Sequence, residues 1–431
     1  MSRRVTPNDL EAIKRSLYQN KFVLNNFIGR GGLAEVYSAT SLKDDDEYVV
    51  RIVSYTSVDK SRDEIYEDFR KRDTINRKLS KEECDSETNA NSKVCKIACI
   101  NKHIVCSDFL ILSQGKYFVE VMKKYDMDLG KHIRVTLDSE IHDNNDRLFY
   151  NLSLKNASTS TNPYTENFLT TILALWNALL DLHKNGMAHG DIKPENILAR
   201  FNPQDDNLID DVAISDFDTL CTEMMCAPSG HTDIFATRQL LVSHKNDKFD
   251  IKIKQQSDIF AMALTTMILW YGMIVLFDEF SHIFKTIDPS GNHPTINEKG
   301  YIFVNDVYSL YKSPKVNKEQ ERLQFYNMLM EWNKQKFSQL PRTMTIFKIK
   351  RIIDCCIKII VDVMDDKDVN NLVDTIININ INTNTNAPRS ISLPPSPSQS
   401  PRETQSPRET QSPRINLRNV SDKIKTIIKR Q

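Results

Sequence analysis

Residues 47–55, EYVVRIVSY, set Tyr48, Val50 and Ile52 in alternation with Val49, Arg51 and Val53. β-Branched residues dominate, so a strand is expected. Arg51 lies inside this apolar strand, where a charge is costly without an anionic partner. Residues 22–53 as a whole read as short strands separated by glycine and charged turns. A charged helix is expected over 61–82, a polar insert over 81–93, and further strands over 104–112 and 117–122. From about residue 126 the pattern turns helical, with a polar insert at 136–163. Residues 167–183 place Phe168, Ile172, Leu175, Trp176, Leu179 and Leu182 at helical spacing. A strand-rich part followed by a helix-rich part predicts two lobes.

Two stretches depart from that rhythm. Residues 259–277, IFAMALTTMILWYGMIVLF, carry no charge and suit either a membrane span or a helix buried on all sides. Toward the C-terminus, 375–386 is low-complexity text in which isoleucine and asparagine alternate, read as compositional drift rather than a strand. Residues 394–414 repeat SPRETQ, offer no apolar side chain to bury, and are expected to be disordered. Ser396, Ser400, Ser406 and Ser412 each precede proline there, which suits equally a target for a proline-directed kinase or a charged spacer. The basic stretch 415–431 reads as a frayed, solvated tail.

Composition narrows the class. Lys+Arg and Asp+Glu both number 57, so net charge supplies no argument for a nucleic-acid or membrane partner. The first residues, MSRRVTPNDLEAIKR, contain no apolar core of a signal peptide, so an intracellular protein is expected. The eight cysteines show neither a CxxC pair nor metal-ligand spacing, and free thiols are expected.

The chemistry concentrates in AHGDIKPENIL, residues 188–198, directly after the apolar helix. His189, Asp191, Lys193 and Asn196 hold fixed spacing, and AISDFDTL follows at 213–220 as an apolar run leading into an acidic turn. Upstream, FIGRGGLAEVYSAT at 27–40 places glycines between two strands, so that backbone can approach phosphates closely.

Together and in this order these motifs resemble the catalytic core of protein kinases, over roughly residues 20–365. The resemblance implies an α+β, bilobal fold: a small strand-rich N-lobe at 20–125, a larger helical C-lobe at 126–365, and a disordered low-complexity tail at 366–431. It implies a serine/threonine protein kinase using ATP and Mg²⁺, with a protein as substrate. Asp191 would accept the hydroxyl proton, and Lys193 would neutralise charge on the transferred phosphate. Asn196 and Asp216 would hold Mg²⁺. Ile28, Gly29, Gly31, Gly32, Val36 and Arg51 would line the phosphate and adenine site. Met122 would be the gatekeeper, the backbone of Lys123 to Tyr125 would bond adenine, and Asp128 would lie near the ribose. Residues 255–263, QQSDIFAMA, resemble the start of the central helix of the kinase C-lobe, where Asp258 would anchor the catalytic loop from below. That assignment favours burial over a membrane span.

Besides Ala34, a mild change at the third glycine, four departures from the family pattern stand out. Arg51 stands where the strand lysine is usual, and it asks for a carboxylate from the following helix: Glu67, with Glu64 as alternative. Asp218 replaces the glycine of DFG. Gly190 replaces the arginine that reads a phosphorylated activation loop. Thr237 and Arg238 end the activation segment where Pro-Glu is usual. The HGD and DFD variants resemble the divergent kinases of large DNA viruses. A pseudokinase that acts as a binding or scaffold module is the alternative; retained Asp191, Asn196 and Asp216 argue for activity and Arg51 against it. A kinase fold acting on a small molecule is a third reading, disfavoured by Lys193.

Overall fold

The computed structural model describes residues 5–30, 34–44, 46–54, 101–105, 107, 109–113, 117–138, 148–156, 162–222, 232–237, 239–240, 250–287, 318–364 and 369–379. Met1–Thr383 forms one unit and Asn384–Gln431 another, and every described residue belongs to the first. The architecture is mixed α+β, an antiparallel sheet near the N-terminus followed by helices.

The sheet comprises β1 (Phe22–Arg30), β2 (Ala34–Ser41), β3 (Glu47–Ser54), β4 (Phe109–Ser113) and β5 (Tyr117–Lys123), in the order β1-β2-β3-β5-β4. A helix that the sequence pattern left unassigned, α1 (Pro7–Gln19), covers one face. Its start is written locally: the Thr6 hydroxyl accepts from the Asp9 N–H at 3.2 Å, and Pro7 opens the helix where no N–H is needed. Ile13 and Leu17 are fully buried against Phe22, Tyr48, Val50, Val119 and Val121, which makes the first core. Tyr117 of β5 donates to Asp9 at 2.8 Å and ties helix to sheet.

The second, larger core is helical. Met127–Asp128 (β6) leads into α2 (Leu129–Asp138), followed by α3 (Phe149–Lys155) and α4 (Pro163–Lys184). Helix α3 lies inside the stretch 136–163 that the sequence marks as a polar insert; Phe149, Tyr150 and Leu152 are buried, so this part belongs to the core. In α4 the Asn162 side chain caps the first turn and Pro163 opens it, and Phe168, Ile172, Leu175, Trp176, Leu179 and Leu182 are buried. Next come the short strands β7 (Met187–Ala188), β8 (Ile197–Asn202), β9 (Asp205–Ile214) and β10 (Cys221–Thr222). The helices α5 (Ile251–Tyr271), α6 (Met273–Ile287), α7 (Lys318–Ser338), α8 (Met344–Met364) and α9 (Asn370–Asn378) complete the core.

The uncharged stretch 259–277 is not one helix. It bends by 110° between α5 and α6, and among the described residues no single helix is long and apolar enough to cross a membrane. Gly272 makes the break: its φ is +85°, and a Cβ there would sit 2.5 Å from the Leu148 side chain. Within α5 every residue from Ser257 to Tyr271 is buried, which explains the lack of an amphipathic pattern.

Two other expectations change. The tail was expected from residue 366, but α9 is helical and Val369, Val373, Ile376 and Ile379 join the larger core. The Ile/Asn alternation hid this because asparagine occupies the outer positions of a short helix. Cys221 is disulfide-bonded, where a free thiol is expected from the sequence, and its partner lies outside the described residues. The helix expected at 61–82, with Glu64 and Glu67, lies outside the described residues.

Candidate active site

The loop between β7 and β8 is held from below by α5. The Asp258 carboxylate, 1% exposed, accepts from the His189 N–H at 2.7 Å, from the Gly190 N–H at 2.8 Å and from His183 Nε2 at 3.1 Å. Buried backbone donors need such an acceptor, and an ionised one is the strongest available. The His189 ring spans the next gap. Its Nε2 lies 2.9 Å from the Ser215 carbonyl, which can only accept, so Nε2 carries the proton and Nδ1 accepts from the Asp191 N–H at 3.3 Å.

Gly190 has a geometric cause. Its φ is +85°, and a Cβ would lie 2.8 Å from the Thr219 carbonyl oxygen and 3.4 Å from Lys254 Nζ. A side chain of any kind is therefore excluded, and the Thr219 hydroxyl closes the contact by donating to the His189 carbonyl at 2.8 Å. Lys254, buried on α5, brings a cation to this place; burial pulls its pKa below the ordinary lysine value against the field of Asp258.

Asp191 is the most heavily engaged carboxylate of the loop. One oxygen accepts from Lys193 Nζ at 2.6 Å and Asn196 Nδ2 at 3.1 Å; the other accepts from the Thr232 N–H at 2.8 Å and hydroxyl at 2.9 Å. Burial pushes its pKa up, but the hydrogen bonds from Lys193 and Thr232 and the Lys193 charge prevail, so it sits below the usual carboxylate value and is ionised at neutral pH. Lys193 also donates to the Thr232 hydroxyl at 2.8 Å.

Asn196 connects this group to the second acidic residue. Its carbonyl oxygen accepts from the Ser215 N–H at 2.9 Å and hydroxyl at 3.0 Å, and Asp216 follows directly. Asp216 adopts a left-handed backbone, φ 63° and ψ 68°, a conformation that aspartate tolerates better than most residues. Its side chain is 43% exposed, and Oδ1 lies 3.8 Å from Arg51 Nη1. Asp218 falls in the single turn Phe217–Thr219.

Arg51 reaches this place from the sheet. β3 pairs with β5 so that Arg51 stands directly opposite Glu120, and Nη1 lies 3.5 Å from Glu120 Oε2. Glu120 is 4% exposed and accepts from the Ser107 hydroxyl through its other oxygen. On the other side of β3, Arg51 stands opposite Val36 of β2, half-buried, and Val36 stands opposite Gly29. Ile28 is 54% exposed on the same strand. Arg30 and Glu35 face each other in register and form an ion pair at the end of the β1–β2 hairpin, and Glu35 also accepts from Tyr37 at 2.8 Å. Burial, then this bond, pushes the Tyr37 pKa up to about 12. Gly31 and Gly32 lie outside the described residues, as does Arg238.

Met122 is half-buried at the end of β5, and exposed Lys123 pairs with Asp46 at 3.1 Å. Tyr125 packs under the Arg200 guanidinium, 5.4 Å from its ring centre, and burial followed by the Asp211 charge pushes its pKa up to about 12. Asp128 accepts from the Lys131 N–H at 2.6 Å and so caps the first turn of α2. The structure thus brings together Arg51, Asp191, Lys193, Asn196 and Asp216.

Glu120, Thr232 and Lys254 are site residues that the sequence reading passed over. Glu120 carried a usable signal, the same one that exposed Arg51: a charge inside an apolar strand. Thr232 and Lys254 carried none, because each acquires its role only through a distant contact.

Among the described residues no group of three or more His, Cys, Asp or Glu side chains could hold a metal ion. Asn196 and Asp216 offer an amide and a carboxylate, oxygen donors that suit Mg²⁺ when phosphate oxygens and water complete its shell. No protein-family model matches the chain, and no curated protein matches it.

Proposed function

We propose that the chain is a divergent serine/threonine protein kinase with a bilobal kinase-like fold, transferring the γ-phosphate of ATP to protein hydroxyls. The observation that carries this reading is the setting of Asp191: an ionised carboxylate held by Lys193, Asn196 and a threonine hydroxyl, linked through Asn196 and Ser215 to Asp216. Phosphoryl transfer asks the protein for positioning and charge neutralisation rather than covalent chemistry. Asp191 accepts a hydroxyl proton in the orientation that Thr232 already uses. Lys193 balances the charge gathering beside it. Arg51 supplies a cation from the opposite side. Mg²⁺, held by Asn196 and Asp216, would neutralise phosphate charge when bound.

The second reading, a binding or scaffold module without phosphoryl transfer, draws on the Arg51–Asp216 ion pair, which engages the carboxylate assigned to the metal. Purified protein with Mg²⁺ and labelled ATP, beside Asp191→Asn, separates the two. On the kinase reading label appears on serine or threonine, and the variant loses ~10²–10⁴ in rate. The acid limb of the rate profile should lie below the usual carboxylate range. Asp191 is ionised above its depressed pKa, and activity disappears as pH falls through it. Equal labelling by both proteins, or none by the wild type, removes the kinase reading.

A further inference from the structure

A buried carboxylate inside a sheet asks what it serves. Glu120 is 4% exposed in the middle of β5, flanked in sequence by Val119 and Val121, both fully buried. Its described partners are the Ser107 hydroxyl and the Arg51 guanidinium. Burying a carboxylate is costly unless its charge is balanced and its oxygens are hydrogen-bonded, and Glu120 has both kinds of contact. Arg51 in turn faces two carboxylates with one nitrogen, Glu120 at 3.5 Å within the sheet and Asp216 at 3.8 Å outside it. The first pair joins adjacent strands in direct register, so it is set by backbone pairing. The second spans separate parts of the fold, and its Asp216 side chain is 43% exposed.

We propose that Glu120 is a positioning residue for the phosphate site: it holds the Arg51 cation from inside the sheet, so that Arg51 can exchange Asp216 for a nucleotide phosphate without losing its anchor. The role of the anchor rests on the kinase reading above; the Glu120–Arg51 coupling itself does not. An anion reaching Arg51 competes with Asp216, a partly solvated carboxylate, and leaves Glu120 in place because Glu120 is almost wholly buried. The clamp needs no movement of a neighbouring helix, since both of its members sit on paired strands.

The test uses the full chain and three variants: Glu120→Gln, Arg51→Met and the double variant. Glutamine keeps the shape and can still accept from Ser107 while removing the charge. Urea unfolding of the four proteins reads the coupling directly. The expected result is that Glu120→Gln lowers the unfolding midpoint in the wild-type background and changes it less in the Arg51→Met background. Additive midpoints overturn the clamp, whether or not the protein binds nucleotide. Steady-state kinetics and Mg²⁺–ATP thermal shifts then read the role. Glu120→Gln should cost roughly 10- to 100-fold in kcat/KM for ATP through misplacement of Arg51, with the KM for a protein substrate unchanged. Unchanged ATP kinetics beside a coupled pair overturn the positioning role. A wild-type protein that shows neither label transfer nor a nucleotide-dependent shift removes the kinase reading and the role with it, while the unfolding data still decide the coupling. Should Glu120→Gln fail to fold, Glu120→Asp, which keeps the charge and withdraws it by one methylene, is measured in the same way, and wild-type ATP kinetics in that variant overturn the role.

Discussion

The β7–β8 loop and the sheet hold their charges by different means. In the β7–β8 loop, Asp191 receives four hydrogen bonds of 2.6–3.1 Å, and backbone N–H groups are tied to Asp258 at 2.7 and 2.8 Å. In the sheet, Arg51 faces its described carboxylates at 3.5 and 3.8 Å. Short, directional bonds fix an orientation; a charge contact at those distances fixes a neighbourhood. The difference predicts where the molecule tolerates change. Substitutions that disturb direction should be severe in the loop, and substitutions that conserve charge should be mild in the sheet.

The largest effect is expected at Asp258. Asp258→Asn keeps the size but removes the charge that faces two buried backbone donors and His183. A loss of roughly 2–3 kcal/mol in stability follows from buried donors losing a charged acceptor. On the kinase reading label transfer should fall with it, because the loop loses its floor. Chemical unfolding and the transfer assay measure both, and a variant with wild-type stability would show that the loop is held by other contacts.

Gly190→Ala comes next. The methyl group meets the Thr219 carbonyl at a backbone conformation that alanine resists, and a cost of about 1–3 kcal/mol is expected. The rate should fall as well, since Asp191 follows directly. A thermal melt beside the transfer assay tests this, and a neutral result would mean that the loop can shift without consequence.

Arg51→Lys should be the mildest. Lysine retains the cation opposite Glu120, and the contacts it replaces are governed by charge rather than by the fork of the guanidinium. A change of less than about 10-fold in kcat/KM is expected, in either direction, because a kept charge preserves most of an electrostatic contact. A far larger loss would break the contrast by showing that the planar fork is used directionally.

Much of this site is legible in the order of residues alone, and the reason is locality. The spacing of His189, Asp191, Lys193 and Asn196 lies within one loop and the single turn that follows it, so chain geometry alone brings them together. The apolar positions of α4 repeat at the helical period and mark its buried face. Helix α1 was readable by the same rule, with Thr6, Pro7 and the spacing of Leu10, Ile13 and Leu17 all in view. Gly190 was visible as a departure, but a sequence does not display the Thr219 carbonyl that makes glycine necessary.

The chain by itself determines the elements that local period and capping specify, and the identity of the ionisable groups gathered in the β7–β8 loop. Which charge faces which is decided by the tertiary structure. Arg51 and Glu120 are separated by 69 positions, and only the register of β3 against β5 makes them neighbours. Asp191 meets Thr232 across 41 positions, and Gly190 meets Asp258 across 68. A one-residue slip in the sheet would turn Glu120 to the opposite face and leave Arg51 without it, because side chains alternate along a strand. Spacing along the chain carries no information about that register, whereas burial of Val50, Ile52, Val119 and Val121 in one core enforces it.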